Sequence, residues 1–237
     1  MLSVAKKLGG FVRYFFAWLG SKRAAKRDVA EPGILLDRAA NANLPVPAGG
    51  IVLHNFYELA LEEGVIAEED GVVTAVSPPA LHDLLFNLAR FPQLDGPMVI
   101  RPLHPSNFGP TLAAMQLDNP VQLSSSLCEG WSSQNGRHDL LLISLPENGV
   151  WGTAVSPPDA TTDQLIQAET STTLPRLSRW QRPDASLPPH AQRLQMLLRG
   201  LRRTFGDTGW EIEWVDNGRI CWLWELKPHR TFSADPL

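Results

Sequence analysis

The strongest constraint on this chain lies near its end. Trp210, Ile212 and Trp214 alternate with Glu211 and Glu213. After Asp216-Asn217-Gly218, the series Ile220, Trp222, Trp224, Leu226 alternates with Cys221, Leu223, Glu225, Lys227. Two period-two runs around an Asn-Gly predict a β-hairpin. A two-residue Asn-Gly loop would put Glu213 on the face of Trp222, whereas register is set by keeping one face apolar. A loop of three or five residues instead gathers the tryptophans on one face and Glu211, Glu213, Glu225 and Lys227 on the other. The tryptophan face is then core, each such side chain worth roughly 1.5–3 kcal/mol on burial. The charged face reads either as a solvated strand surface or as a Mg²⁺ site, because carboxylate oxygens suit that hard cation. The second reading depends on the loop. With three residues, Glu213 and Glu225 lie about 13 Å apart along the ladder; only a wider loop brings them together.

Elsewhere, strands and helices interleave, which predicts an α/β or α+β fold. Helices are expected over 34–42, from Asn55 to about Gly64, over 79–90 and from about Pro189 to Phe205. Gly50 to His54 and Pro97 to Arg101 read as strands. Asp139 to Leu145 and Val150 to Val155 read as strands paired across Pro146-Glu147-Asn148-Gly149. Residues 156–187, rich in Pro, Thr, Ser and Asp, read as an irregular surface excursion. Cys128 and Trp131 are expected in a core helix.

The formal charge of −4 argues against a nucleic-acid binder, but the charge is unevenly spread. The first 27 residues hold seven of the 21 Lys and Arg and no acid, leaving 14 bases against 25 acids in the rest. Val4, Leu8, Phe11, Phe15, Trp18 and Leu19 fall near helical spacing, so residues 2–27 read as a basic amphipathic helix. Such a helix either docks on a partner protein or a membrane surface, or packs on its own domain. Phe11 to Leu19 is interrupted by Arg13 and lacks a cleavage site, so no signal peptide is expected. Two widely spaced cysteines fit a reducing compartment. A cytoplasmic protein is expected, with the inner membrane surface as a peripheral location for the basic helix.

Several stretches carry a family likeness in the right order. Glu211-Ile212-Glu213-Trp214 followed by Leu223-Trp224-Glu225-Leu226-Lys227-Pro228 resembles the DIEW … LLQARP ending of the ATP-grasp domain of phosphoenolpyruvate synthase and pyruvate phosphate dikinase. Gly33 through Gly49, with Asn43-Leu44-Pro45-Val46-Pro47-Ala48-Gly49, is similar to the opening GGKGANLARLxxxGLPVPPGF. Ile51 to Glu63 is similar to the FxxFLEENG helix, and Val99-Ile100-Arg101 through Met115 to VRSSATAEDLPDASFAGQ. Leu141 to Pro157 is similar to a thinned VQxMVPAxxSGVAFTADP. The resemblance implies a shortened ATP-grasp-like domain over 31–230, preceded by the N-terminal helix (1–30) and followed by a tail (231–237). It also implies ATP and Mg²⁺ as ligands. Arg101 inherits a catalytic, phosphate-contacting role; Glu225 and Lys227 inherit nucleotide contacts; Glu213 and Glu225 inherit the metal. His104, three residues beyond Arg101, is the histidine nearest this set.

The departures are as informative. The family lysine that reaches the nucleotide phosphates aligns with Pro32. The polar residues after the arginine become Pro102, Pro105 and Asn107, the mobile SFAGQ loop becomes Thr111-Leu112-Ala113-Ala114-Met115, and the glutamine beside the adenine pocket becomes apolar near Ile143. Gln becomes Glu225, and Arg becomes Lys227, which loses the bidentate fork. Phosphoryl transfer depends on positioning and on cationic stabilisation of the phosphates. The expectation is a non-catalytic, partner-binding or regulatory descendant; the alternative is the ATP-binding part of a phosphotransferase whose other domains are separately encoded.

Overall fold

The computed structural model describes residues 6–8, 11–105, 108–109, 111–134, 136–147, 149–167 and 170–229. The chain forms two compact units, residues 1–38 with 48–145 and residues 39–47 with 146–237. Each is a mixture of helices and antiparallel sheet.

The first unit opens with three short strands, β1 (Lys6–Leu8), β2 (Phe11–Arg13) and β3 (Phe16–Trp18). The expected N-terminal amphipathic helix is therefore not what forms; Met1–Ala5 and Gly9-Gly10 lie outside the described residues. The physical reason is visible around Phe15. Phe15, Phe16, Ala17 and Leu19 are all buried, a near-continuous run that a helix with one apolar stripe cannot supply. Glycine is also a poor helix former, and Gly9-Gly10 sits inside the proposed helix. The apolar residues still pack on their own unit, as strand.

Next come α1 (Glu31–Asn41), β4 (Gly49–Val52), α2 (His54–Glu62), β5 (Ile66–Glu69), β6 (Val72–Ala75), α3 (Pro78–Asp83) with a π-turn over Leu84–Leu88, β7 (Pro97–Pro102), β8 (Met115–Gln116), α4 (Pro120–Ser132) and β9 (Leu140–Ser144). The sheet order is β3-β4-β9-β7-β8. β9 is apolar at four of its five positions and sits between β4 and β7, covered on both faces. Phe16, Val52, Leu142, Ile100 and Met98 form one face with α2, α3 and α4, where Trp131 and Cys128 are buried in the expected core helix. On the other face, α1 approaches closely: a Cβ on Gly33 would lie 3.0 Å from Ile51 Cδ1 and 3.2 Å from Leu103 Cδ1. The β5–β6 hairpin turns on Asp70-Gly71, both at positive φ, the backbone an Asp-Gly turn supplies.

The second unit holds β10 (Val150–Ser156), β11 (Thr162–Gln167), β12 (Thr170–Pro175), α5 (Pro189–Phe205), β13 (Trp210–Asp216) and β14 (Cys221–Pro228), in sheet order β12-β11-β10-β13-β14. Two expectations are corrected. β9 and β10 do not pair: β9 joins β4 and β7, and β10 joins β11 and β13. The stretch from 156 is not wholly irregular, because its threonines favour strand and Leu165 and Leu174 anchor β11 and β12 in the core; residues 176–187 contain no helix or strand. α5 packs Leu194, Leu197, Leu198 and Leu201 toward the sheet.

Near α2, His54, Tyr57 and His138 stack, with the Tyr57 and His138 centroids 4.0 Å apart. The buried Nδ1 of His138 has no hydrogen-bond partner among the described residues. Burial, and secondarily His54, push the His138 pKa below its ordinary value. The stabilisation is thus fully present above the unfolded pKa of about 6.5 and is lost as pH falls through that value toward the folded one. Urea midpoints should accordingly fall between pH about 7.5 and about 5.5, and His138→Gln should flatten that fall.

Candidate functional site

The ladder between β13 and β14 does not keep one register. Asp216 pairs with Cys221, Val215 with Trp222 and Trp214 with Leu223; then the register shifts, and Glu213 pairs with Glu225, Ile212 with Leu226 and Glu211 with Lys227. Trp224 is the extra residue, a β-bulge. The strands are joined by residues 217–220, and the side chain of Asn217 explains why the loop is wider than an Asn-Gly turn. Its Oδ1 accepts from the backbone N–H groups of Arg219 at 3.1 Å and Ile220 at 2.9 Å, while Gly218 takes φ +87°.

This connection alone would set Glu213 against Trp224; the bulge adds one residue and brings Glu213 directly opposite Glu225, where Cβ atoms of an antiparallel pair lie about 4.5–5.5 Å apart. Glu225 is buried and Glu213 half-buried. Lys227 Nζ lies 2.8 Å from Glu211 Oε1, and that hydrogen bond holds the ammonium pKa above its ordinary value. Among the described residues, no group of three or more His, Cys, Asp or Glu is arranged to hold a metal. The metal reading therefore rests on the facing pair.

The tryptophans do not all share a face, contrary to expectation. Trp210, Ile212 and Trp214 lie on the side of Ala154, Leu223 and Leu226, with His190 of α5 stacked 6.0 Å from Trp214. Trp222 pairs with Val215 on the carboxylate side, and Trp224 meets Trp151 edge-on at 4.9 Å. The four-residue loop is the cause: pairing Asp216 with Cys221 sets Trp222 against Val215, where a loop of three or five residues would have placed it with Trp214.

Arg101 belongs to the first unit, whereas Glu213, Glu225 and Lys227 belong to the second. Arg101 pairs with Leu141 in the middle of a buried sheet. The loop after β7 folds back on it: Leu103 bridges Phe108, the Gly109 N–H donates to Pro102 O at 2.7 Å, and the Arg101 guanidinium lies 4.6 Å over the Phe108 ring. His104 is part-buried in this loop, its Nε2 3.0 Å from where a Gly109 Cβ would sit. Asn107 lies outside the described residues.

Sequence reasoning missed two buried ionic clusters of the second unit. Arg193 of α5 donates from Nε and Nη2 to Asp216 at 2.6 Å each. Burial opposes the charge on Asp216, but these bonds and that of the Gly218 N–H outweigh it and hold the carboxyl below the usual range. Asp163, 1% exposed, receives Arg176 Nε at 2.8 Å, Arg202 Nη1 at 2.8 Å and the Ser156 hydroxyl at 2.8 Å. The available signal was α5 itself, with four arginines and no acid.

No family model matches the sequence, and no curated protein sequence matches it significantly. Solved structures align at low identity. D-alanine-D-alanine ligase from Helicobacter pylori matches at 11% identity over 83% of this chain and 56% of its own, with a TM-score of 0.47. VanG D-Ala:D-Ser ligase from Enterococcus faecalis matches at 12% identity over 88% of this chain and 53% of its own, with a TM-score of 0.46. A RimK domain ATP-grasp protein from Sphaerobacter thermophilus matches at 13% identity over 84% and 59%, with a TM-score of 0.43. The chain thus spans 53–59% of the length of these three proteins.

Arg193→Ala would leave Asp216 as a buried carboxylate without its cation, a change that costs about 3–5 kcal/mol. Equilibrium urea unfolding should register that loss, and Arg193→Lys should recover part of it.

Proposed function

We propose that this chain is an ATP-grasp-type domain related to the ATP-binding part of phosphoenolpyruvate synthase and pyruvate phosphate dikinase, and that it binds or regulates instead of transferring phosphate. The observation that carries the reading is the pairing of Glu213 with Glu225. Those are the two positions that the family resemblance assigns to the metal, and a one-residue change of register would separate them. Arg101, to which the resemblance assigns a phosphate, is buried and stacked under Phe108.

Loss of transfer follows from what stands in place of the missing groups. The position of the family lysine is Pro32, in the first turn of α1, beside Glu31. Proline has no N–H to donate, and a carboxylate in that turn opposes a phosphate where a helix N-terminus would otherwise attract one. Cationic clamps of this kind supply much of the catalysis of phosphoryl transfer, so several kcal/mol of transition-state stabilisation are gone. Nucleotide binding with Mg²⁺ is the second reading, favoured by the same facing carboxylates, since Mg²⁺ is held by one or two carboxylates with phosphates completing its shell.

Thermal unfolding with and without millimolar Mg-ATP separates the two. A ligand at a hundredfold excess over its dissociation constant stabilises by about 2.7 kcal/mol. A Mg²⁺-dependent upward shift, lost in Glu213→Ala and reduced in Arg101→Ala, is the outcome expected of a nucleotide-binding domain. No shift in a folded sample leaves a non-nucleotide binding or regulatory domain. Release of ADP or AMP by this chain with an acceptor protein would overturn the loss of transfer.

A further inference from the structure

The second unit concentrates positive charge in one place. From Arg176 to Arg203 the chain has seven arginines, at 176, 179, 182, 193, 199, 202 and 203, and one acid, Asp184. Arg193 is committed to Asp216, and Arg176 and Arg202 to Asp163. The others have no ion pair among the described residues. Arg199 donates only to the Ser178 carbonyl at 3.1 Å, the Gln181 carbonyl at 2.8 Å and Met196 Sδ at 3.0 Å, bonds that hold the 176–187 segment against α5. Arg179 and Arg203 are exposed and make no side-chain hydrogen bond among the described residues.

Arg179, Arg199, Arg202 and Arg203 line one open cavity of about 420 Å³, with Leu177 and Asp207. Asp207 does not neutralise them, because Arg176 Nη1 takes both its oxygens at 3.1 and 2.9 Å. Arg202 is 11% exposed, and its Nη2 has no hydrogen-bond partner among the described residues. Three uncompensated guanidinium groups around a concavity repel one another; a multiply charged anion relieves that and engages the planar forks in pairs. The volume lies in the range of small-ligand clefts.

We propose that this cavity is a binding site for a small phosphorylated ligand, held by Arg179, Arg199 and Arg203 and floored by Arg202. The site is independent of the carboxylate pair: α5 packs on the Trp210–Trp214 face of the sheet, and Glu213 and Glu225 point to the other. Phosphate chemistry is favoured over a carboxylate because three positive charges converge, and a pyrophosphate or phosphate monoester carries the charge density to match them.

The test is calorimetric titration of the full chain with inorganic pyrophosphate, without Mg²⁺, against sodium chloride at matched ionic strength. Saturable binding is expected, at least tenfold weaker in Arg179→Ala/Arg203→Ala. Both side chains are exposed, so near-ultraviolet circular dichroism should show that the variant stays folded. Arg101→Ala and Glu213→Ala should bind pyrophosphate as the unaltered chain does, which separates this site from the proposed nucleotide contacts whether or not Mg-ATP binds. Absence of saturable binding, or equal affinity in the double variant, would overturn the proposal. So would a single-stranded oligonucleotide that binds through the same arginines and is not displaced by pyrophosphate, since the occupant would then be a nucleic acid.

Discussion

The second unit depends on a single irregularity, the extra residue at Trp224. Close to the turn, the ladder pairs Trp214 with Leu223. Had that register continued, Glu213 would face Trp224 and Ile212 would face Glu225. The Glu225 carboxylate would then lie under α5, on an apolar face with no cation opposite, and a buried unpaired charge costs far more than one strand hydrogen bond. The bulge moves the outer half of the ladder by one position, which returns Ile212 to Leu226 and sets Glu225 against Glu213. The turn side chemistry makes this necessary: Asn217 closes a four-residue loop, and Asp216 is fixed as its last strand residue by the bidentate grip of Arg193. A conflict between the loop and the pattern is thus resolved inside the strand, and the facing carboxylates follow from it.

Helix α5 is held to its sheet by more than its leucines. Arg193 grips Asp216 and Arg202 grips Asp163, nine residues apart along the helix, or about 13.5 Å at 1.5 Å per residue. Two fixed points at that separation define both the rotation and the translation of the helix, which apolar contacts alone leave softer. Ionic pairs this buried are weak evidence for net stability and better evidence for specificity. Arg176 reaches the same Asp163 from the loop ahead of α5, so the segment carrying Arg179 is tied to the strand that α5 covers. The cluster leaves Arg179, Arg199 and Arg203 around one cavity whose acid, Asp207, is held by Arg176.

Much of this was legible in the sequence, for physical reasons that differ by element. α5 was readable with its approximate ends because a long amphipathic helix announces its period, and the buried strand ending near Arg101 because its apolar run is bounded by proline and glycine. The facing of Glu213 and Glu225 was read as a condition on a loop of five residues, whereas a four-residue loop forms and the bulge supplies the missing residue. What failed were features decided by partners distant in sequence. Phe15 and Trp18 fit a helical stripe until β4 offers the segment a neighbour in a sheet, with Trp18 opposite Gly50. The polar β11 and β12 owe their existence to the edge of β10. The bulge at Trp224 left no local mark, since each half-strand alternates correctly on its own. Asp163 and Asp216 are single acids whose partners lie on a helix tens of residues away, so only the helix's lack of acids hinted at them. The Asp70-Gly71 turn was a local signal that went unread.

The carboxylate pair and the arginines of the second unit lie on opposite faces of one sheet. On one face, Glu213 stands opposite Glu225, and Lys227 is held by Glu211. On the α5 side, guanidinium groups exceed carboxylates, and an anion needs no metal to bind. The overall charge of −4 conceals this arrangement, because the same sheet separates an acid-rich face from an arginine-rich helix.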